Sequence, residues 1–259
     1  MRSTASQFRV ILADEAETLR AAQRLRYRVF VEELGGDGPL VDHDAGLERD
    51  RFDPYFDHLV LLDDTLEGAE ADRVVGVYRV LRDDQAGQAG QFYSEDEYDL
   101  APLRASGRRL MELGRSCLDP RYRGGAGMFH LWQGLARYVE EHGIELLFGV
   151  ASFHGTDPER LAQPLSLLHH EHLAPLPLRV RARPGNFQRM DLVAPEEIDR
   201  RRAMLQVPAL IKAYLRLGGF VGEGAFVDRQ FNTTDVCLVM DTARLDAARR
   251  DMYAGGLRA

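Results

Sequence analysis

Between residues 128 and 139 the apolar side chains Met128, Leu131, Trp132, Leu135, Ala136 and Val139 fall at i, i+3, i+4, i+7, i+8 and i+11. That period predicts one strongly amphipathic helix, and Gly143 stops it as a C-terminal cap. Just upstream, a continuous apolar run at 110–118 predicts a buried strand that ends at Asp119-Pro120. Further strands are predicted at 8–12, 58–62, 73–81, 144–151, 178–182 and 236–240, with 58–62 and 73–81 forming a hairpin. Helices are expected from an Asp14 cap to about 34, over 158–172, near 195–205 and 209–217, and over 242–253. Residues 83–90, Asp-Asp-Gln-Ala-Gly-Gln-Ala-Gly, read as a loop, and 92–103 as a lead into the next strand. The order β-α-β-β-β-α-β-α-β predicts an α+β fold with a parallel step between 110–118 and 144–151.

The corner between strand and helix carries the most chemistry. Residues 119–127 read Asp-Pro-Arg-Tyr-Arg-Gly-Gly-Ala-Gly. Glycines before a helix let backbone N–H groups converge on an anion, and the helix dipole adds partial positive charge there. The same composition also serves a plain glycine-rich turn. A P-loop is excluded, because Lys212 is the only lysine of the chain. The spacing of Gly124, Gly125 and Gly127 likewise fails the dinucleotide fingerprint.

Composition narrows the partners. With 259 residues, 45% hydrophobic and 29% charged, the chain can bury a full core. Its formal charge of −8 argues against a general nucleic-acid binder, while local arginine clusters at 20–28 and 104–123 suit a discrete anionic partner. Two cysteines, Cys117 and Cys237, exclude a disulfide scaffold and point to buried free thiols. No window reaches 18 uncharged apolar residues and no signal-type segment leads the chain, so a cytoplasmic protein is expected. His169, His170 and His172 lack partners at a recognised ligand spacing, so no metal site is expected.

The motif Arg121-x-x-Gly124-x-Ala126 resembles the pyrophosphate-binding signature of the GCN5-related N-acyltransferase superfamily. Residues 25–35 (Leu-Arg-Tyr-Arg-Val-Phe-Val-Glu-Glu-Leu-Gly), 76–79 (Gly-Val-Tyr-Arg) and 112–115 (Glu-Leu-Gly-Arg) resemble acyl-homoserine-lactone synthases and ornithine-lipid acyltransferases alike. Residues 151–157, 165–170, 210–218 and 231–235 are similar to the L-ornithine Nα-acyltransferases in particular. The resemblance spans roughly 8–241.

It implies a single domain over 1–259 with the N-acyltransferase fold: a mixed central sheet whose neighbouring parallel strands splay apart, flanked by helices. The core would be about 8–183, with a C-terminal extension from about 184 completing the sheet. It also implies transfer of a (3-hydroxy)acyl chain from acyl carrier protein to the α-amine of L-ornithine. The co-substrate is the phosphopantetheine arm of the carrier; no other cofactor is implied. Glutamine as acceptor, lactone synthesis, or a non-catalytic lipid- or carrier-binding module remain alternatives. An amphiphilic product adds transient contact with the inner membrane surface, and no nucleic acid.

Site residues follow from the same matches. Glu112 is the first candidate for general base or base-orienting residue, with an ion pair to Arg79 or Arg115 as its structural alternative. Asp57 is the second, for holding the amine. Arg26, Phe30, Arg79 and Arg115 are acceptor-side candidates, and Asp228, Asn232 and Asp235 are candidates for a cationic side chain or for a turn. The donor arm is assigned to Ser116, Cys117, Leu118, Arg121, Arg123, Gly124, Gly125, Ala126 and Gly127. Tyr214 is either a proton donor or part of an apolar helix face. His154 either lines the cleft or sits in a loop.

Overall fold

The structure is a computed structural model that describes residues 7–244. In chain order it contains β1 (Phe8–Leu12), α1 (Ala16–Arg26), β2 (Asp57–Asp63), β3 (Val74–Arg82), α2 (Asp83–Ala89), β4 (Tyr98–Asp99), α3 (Ala101–Ala105), β5 (Leu110–Leu118) and α4 (Gly127–His142). Then follow β6 (Leu146–His154), α5 (Ala162–His172), β7 (Arg181–Ala182), β8 (Phe187–Gln188), α6 (Arg200–Gln206), α7 (Ala209–Arg216), β9 (Phe220–Val221), β10 (Ala225–Asp228) and β11 (Thr233–Asp241). The chain divides into two compact units. Among the described residues, one comprises Gln7–Leu81 and Leu113–Gly143, and the other Arg82–Glu112 and Ile144–Arg244. The boundary falls inside β5.

In the first unit β1, β2 and β3 form an antiparallel meander, and β3 neighbours β5. Both faces of β2 are covered, which is why 57–63 reads as an unbroken apolar run and not as an alternation. Val60 and Leu62 join Ala21, Ala22, Leu25 and Val29 of α1 in one core cluster. Leu61 points the other way, toward the α4 side, where Leu131 packs against Gly76. Gly134 lets α4 ride directly over β1, since a Cβ there would come within 2.9 Å of Val10 Cβ.

Helix α1 widens into a π-helix over Tyr27–Glu33, with Leu34 N bonding back to Val29 O at 3.2 Å. Such insertions are rare and concentrate at functional sites. The expected Asp14 cap is corrected: Glu15 holds that position and no side chain caps the helix, because Asp14 stands one residue too early. The loop expected over 83–90 is in fact α2. Two acidic residues in its first turn complement the dipole, Gln85 accepts from Arg82 N at 2.9 Å, and Gly90 ends it at φ 87°.

In the second unit β5 pairs in parallel with β6 over three positions, Leu110–Leu146, Met111–Leu147 and Glu112–Phe148. Strand β11 runs antiparallel to β6 from Thr233–His154 to Asp241–Leu146, so the C-terminal part of the chain adds strands beyond β6. The strand expected at 178–182 shrinks to Arg181–Ala182, and the helix near 195 starts at Arg200, where Asp199 caps Arg202 N at 3.0 Å. At the end of the described chain Thr242–Arg244 form a 3₁₀ turn; the rest of the helix expected over 242–253 lies outside the described residues. No helix among the described residues is long and apolar enough to cross a membrane.

Candidate active site

The first unit encloses three arginines and three carboxylates. Arg26 ends α1, Arg79 sits in the middle of β3, and both are 0% exposed. Arg115 stands on β5 with φ 50°, a left-handed backbone rare for a side-chain-bearing residue. Glu48, Asp50 and Asp53 come from the irregular segment between α1 and β2. Asp53 Oδ1 accepts from Arg26 Nη1 at 2.9 Å and from Arg79 Nη1 at 2.6 Å, while Gln23 Nε2 donates to Oδ2 at 2.9 Å. Glu48 accepts from Arg26 Nε and, at 3.0 Å, from Arg115 Nε. Asp50 lies 2.8 Å from Arg79 Nη2 and 3.6 Å from Arg115 Nη2. Phe56 stacks under Arg79 at 4.0 Å and Phe30 lies 5.9 Å from Arg115.

Buried guanidiniums without counter-charges cost several kcal/mol each, so this balance is what lets apolar elements carry arginine at all. It also explains how a strained φ persists at Arg115: its side chain is fixed from two sides. Burial works against ionisation of Glu48, but the charges of Arg115 and Arg26 outweigh it and hold the carboxyl at about 2. Asp50 is likewise lowered, with burial opposing and Arg79 prevailing. His58, on the α1 face of β2, is pushed down to about 4 by burial and then by the Arg26 charge. Glu48, Asp50, Asp53 and His58 were not singled out from sequence as site residues. Sequence offers no signal for the three acids, because other acids, at 72, 83–84, 95–97, 112 and 119, lie closer along the chain to Arg79 and Arg115.

Glu112 belongs to the second unit and is 1% exposed. Its Oε2 accepts from Tyr93 N at 2.7 Å and its Oε1 from Ser94 N at 2.6 Å, with the Ser94 hydroxyl as a third donor. These amides open the 3₁₀ turn Tyr93–Asp96, so a strand residue caps a turn some 18 positions upstream. Asp57 accepts from the Tyr138 hydroxyl of α4, on the opposite face of β2 from His58.

Asp228 Oδ1 accepts from Gln230 N at 2.8 Å and Phe231 N at 3.0 Å, and Asn232 takes φ 51°, so both shape the β10–β11 turn. Asp235 is buried on β11 and accepts from Thr233 Oγ1 at 3.2 Å. Tyr214 is buried on α7 and His154 is exposed at the end of β6. Among the described residues no group of three or more His, Cys, Asp or Glu is placed to hold a metal.

The turn between β5 and α4 stands in solvent from Arg121 to Ala126, apart from a half-buried Tyr122. Gly124 has φ 75°, which suits glycine. Asp119 braces the turn: its Oδ1 accepts from Arg121 N and Nε, and its Oδ2 from Arg121 Nη2, each at 3.0 Å. No side chain caps α4, a 16-residue helix beginning at the buried Gly127. Arg123 donates through Nε to Leu118 O at 3.3 Å. Ser116 is half-buried, its hydroxyl 3.9 Å from Met128 Sδ. Burial pushes the Cys117 thiol up to about 12, which removes the thiolate a nucleophile would need. Cys117→Ala is therefore expected to leave kcat unchanged and to cost about 1 kcal/mol of stability, read by steady-state rates and urea unfolding.

Residues 25–133 match the family described as an acetyltransferase (GNAT) domain. The fold agrees: the AHL synthase LasI superposes with a TM-score of 0.52 at 16% identity, covering 97% of this chain and 96% of that one. The chain is thus an acyltransferase with the GCN5-related fold, mixed sheet and flanking helices included. An L-ornithine N(alpha)-acyltransferase of Rhodobacter capsulatus is 62% identical over 98% of this chain and 97% of its own length. Another from Brucella abortus is 43% identical over 94% and 88%. The chain belongs to the L-ornithine Nα-acyltransferase family.

Proposed function

We propose that the chain moves a 3-hydroxyacyl group from acyl carrier protein to the α-amine of L-ornithine, forming a lyso-ornithine lipid. The observation that carries this reading is 62% identity to a named ornithine acyltransferase across nearly the whole chain. The exposed glycine turn before α4 supports the donor half. In the reaction the neutral α-amine attacks the thioester carbonyl, the C–N bond forms and the C–S bond breaks. One amine proton ends on the departing thiol, so no metal, redox group or acyl-enzyme is required.

Ser116–Leu118 would offer backbone N–H groups to the carbonyl oxygen, and Arg121, Arg123 and the amides of 124–127 would hold the phosphodiester of the arm. Glu112 would act by position: with both oxygens on Tyr93 and Ser94, it fixes residues 93–96 beside the start of β5. The Arg26, Arg79 and Arg115 cluster, with Phe30, would shape the acceptor side from within. Asp57 would steady α4 through Tyr138. Asp228 and Asn232 would serve the turn, and the buried Asp235 would be the remaining candidate for a cationic side chain. The amphiphilic product would leave by brief contact with a membrane surface.

Lipid mass spectrometry of cells expressing the chain tests this reading. N-acylated ornithine is expected with the wild-type chain and its loss with Glu112→Gln, in which an amide N–H replaces one acceptor facing Tyr93 or Ser94. N-acylglutamine instead would redirect the acceptor; no new lipid at all would sink the reading in favour of a binding module.

A further inference from the structure

The arginines of the glycine turn are occupied. Arg123 Nη1 and Nη2 meet Glu33 Oε1 and Oε2 at 2.6 and 2.7 Å, a two-pronged pair with the geometry a phosphate would use. Glu33 is the last residue of the π-helix, and among the described residues Arg123 is its hydrogen-bonding partner. Both side chains are well exposed, at 39% and 40%. Arg121 is held differently. Its partner Asp119 is 6% exposed, also binds the Arg121 backbone N–H, and lies 3.9 Å from Arg28, so it is part of the turn itself.

We propose that Glu33 is an exchangeable counter-anion that sets donor affinity, occupying the Arg123 fork until the phosphodiester of the acyl donor displaces it. The inference rests on the donor site described above and adds a residue that lies outside the motif. With Arg123 Nε given to Leu118 O, the Nη1/Nη2 edge is the two-pronged face left for a pair of oxygens, so carboxylate and phosphate compete for it. Asp119 stays in place because leaving would undo the turn. Glu33 can leave, since an exposed carboxylate regains water as it goes and an exposed pair is weakly held. The Arg123 hydrogen bonds hold the Glu33 carboxyl below its usual range, so the latch is ionised throughout the neutral range. Displacement is an exchange of one anion for another, which keeps the donor releasable after transfer.

Calorimetric titration of acyl carrier protein bearing its acylated arm, and of phosphopantetheine alone, tests this. Glu33→Gln is expected to bind both probes about two- to fivefold more tightly than wild type at low salt, the range an exposed pair can contribute. The gain should vanish in the Arg123→Gln background, where Glu33→Gln should change nothing. Thermal melts establish that each variant is folded. Unchanged or weaker binding by Glu33→Gln, with wild type binding normally, overturns the latch alone. Failure of every protein, wild type included, to bind either probe removes the donor site and the latch with it.

Discussion

Asp53→Ala is expected to lower the free energy of unfolding by about 3–5 kcal/mol, measured by urea denaturation. One carboxylate there receives Gln23, Arg26 and Arg79, so its removal leaves the cluster with three arginines, two of them 0% exposed, against only Glu48 and Asp50. The cost comes from uncompensated buried charge more than from lost hydrogen bonds. Asp64→Ala serves as the contrast. Asp64 pairs with Arg9 at 3.2 Å, but the two side chains are 31% and 45% exposed, and its loss should cost under about 1 kcal/mol. Asp53→Asn keeps an acceptor and should fall between the two. A value for Asp53→Ala within about 1 kcal/mol of wild type would mean that the cluster does not hold the first unit together.

Acid should destabilise the protein in two separable stages. His58 has a folded pKa of about 4 against an ordinary value of 6.5, because burial and then Arg26 disfavour the imidazolium. Between these values the unfolded chain binds more protons, so stability is complete above about pH 6.5 and declines as the pH falls toward 4. The loss is about 3 kcal/mol. Glu48 acts in the next interval: its carboxyl is held at about 2, so its contribution is complete above its ordinary 4.5 and is lost as the pH falls through 2. His58→Gln should flatten the first stage and leave the second. The readout is the urea midpoint at half-unit steps from pH 7 to pH 3. An unaltered slope between 6.5 and 4 in the variant would assign that stage to another group.

Elements with long, uniform patterns were legible from sequence, and those built by tertiary contact were not. Residues 8–12 and 110–118 form strands with the expected bounds, and α4 ends at Gly143 as read, because period, breaker and cap all agree there. α2 was missed because Gly87 and Gly90 suggested a loop; only Gly90 acts as punctuation, as a left-handed cap. The arginines at 26, 79 and 115 could be picked out by their matches, yet their partners could not. Glu48, Asp50 and Asp53 lie in an irregular segment without a period, and their roles exist only once that segment folds against α1 and β3. The same holds for Glu112, whose donors are backbone amides and leave no mark in the sequence. Turn chemistry was readable at Asp228 and Asn232, where residue type and backbone geometry coincide.

On the proposed function, the exposed turn at 121–127 receives the phosphodiester of an acyl donor. Steady-state titration of acyl carrier thioester, comparing wild type with an Arg121→Ala, Arg123→Ala double variant at saturating L-ornithine, tests this most directly. A KM for the thioester raised about tenfold or more, with kcat little changed, is expected from removing charged hydrogen bonds to bound donor. An unaltered KM in a folded double variant would place the donor elsewhere and rule out this turn as its site.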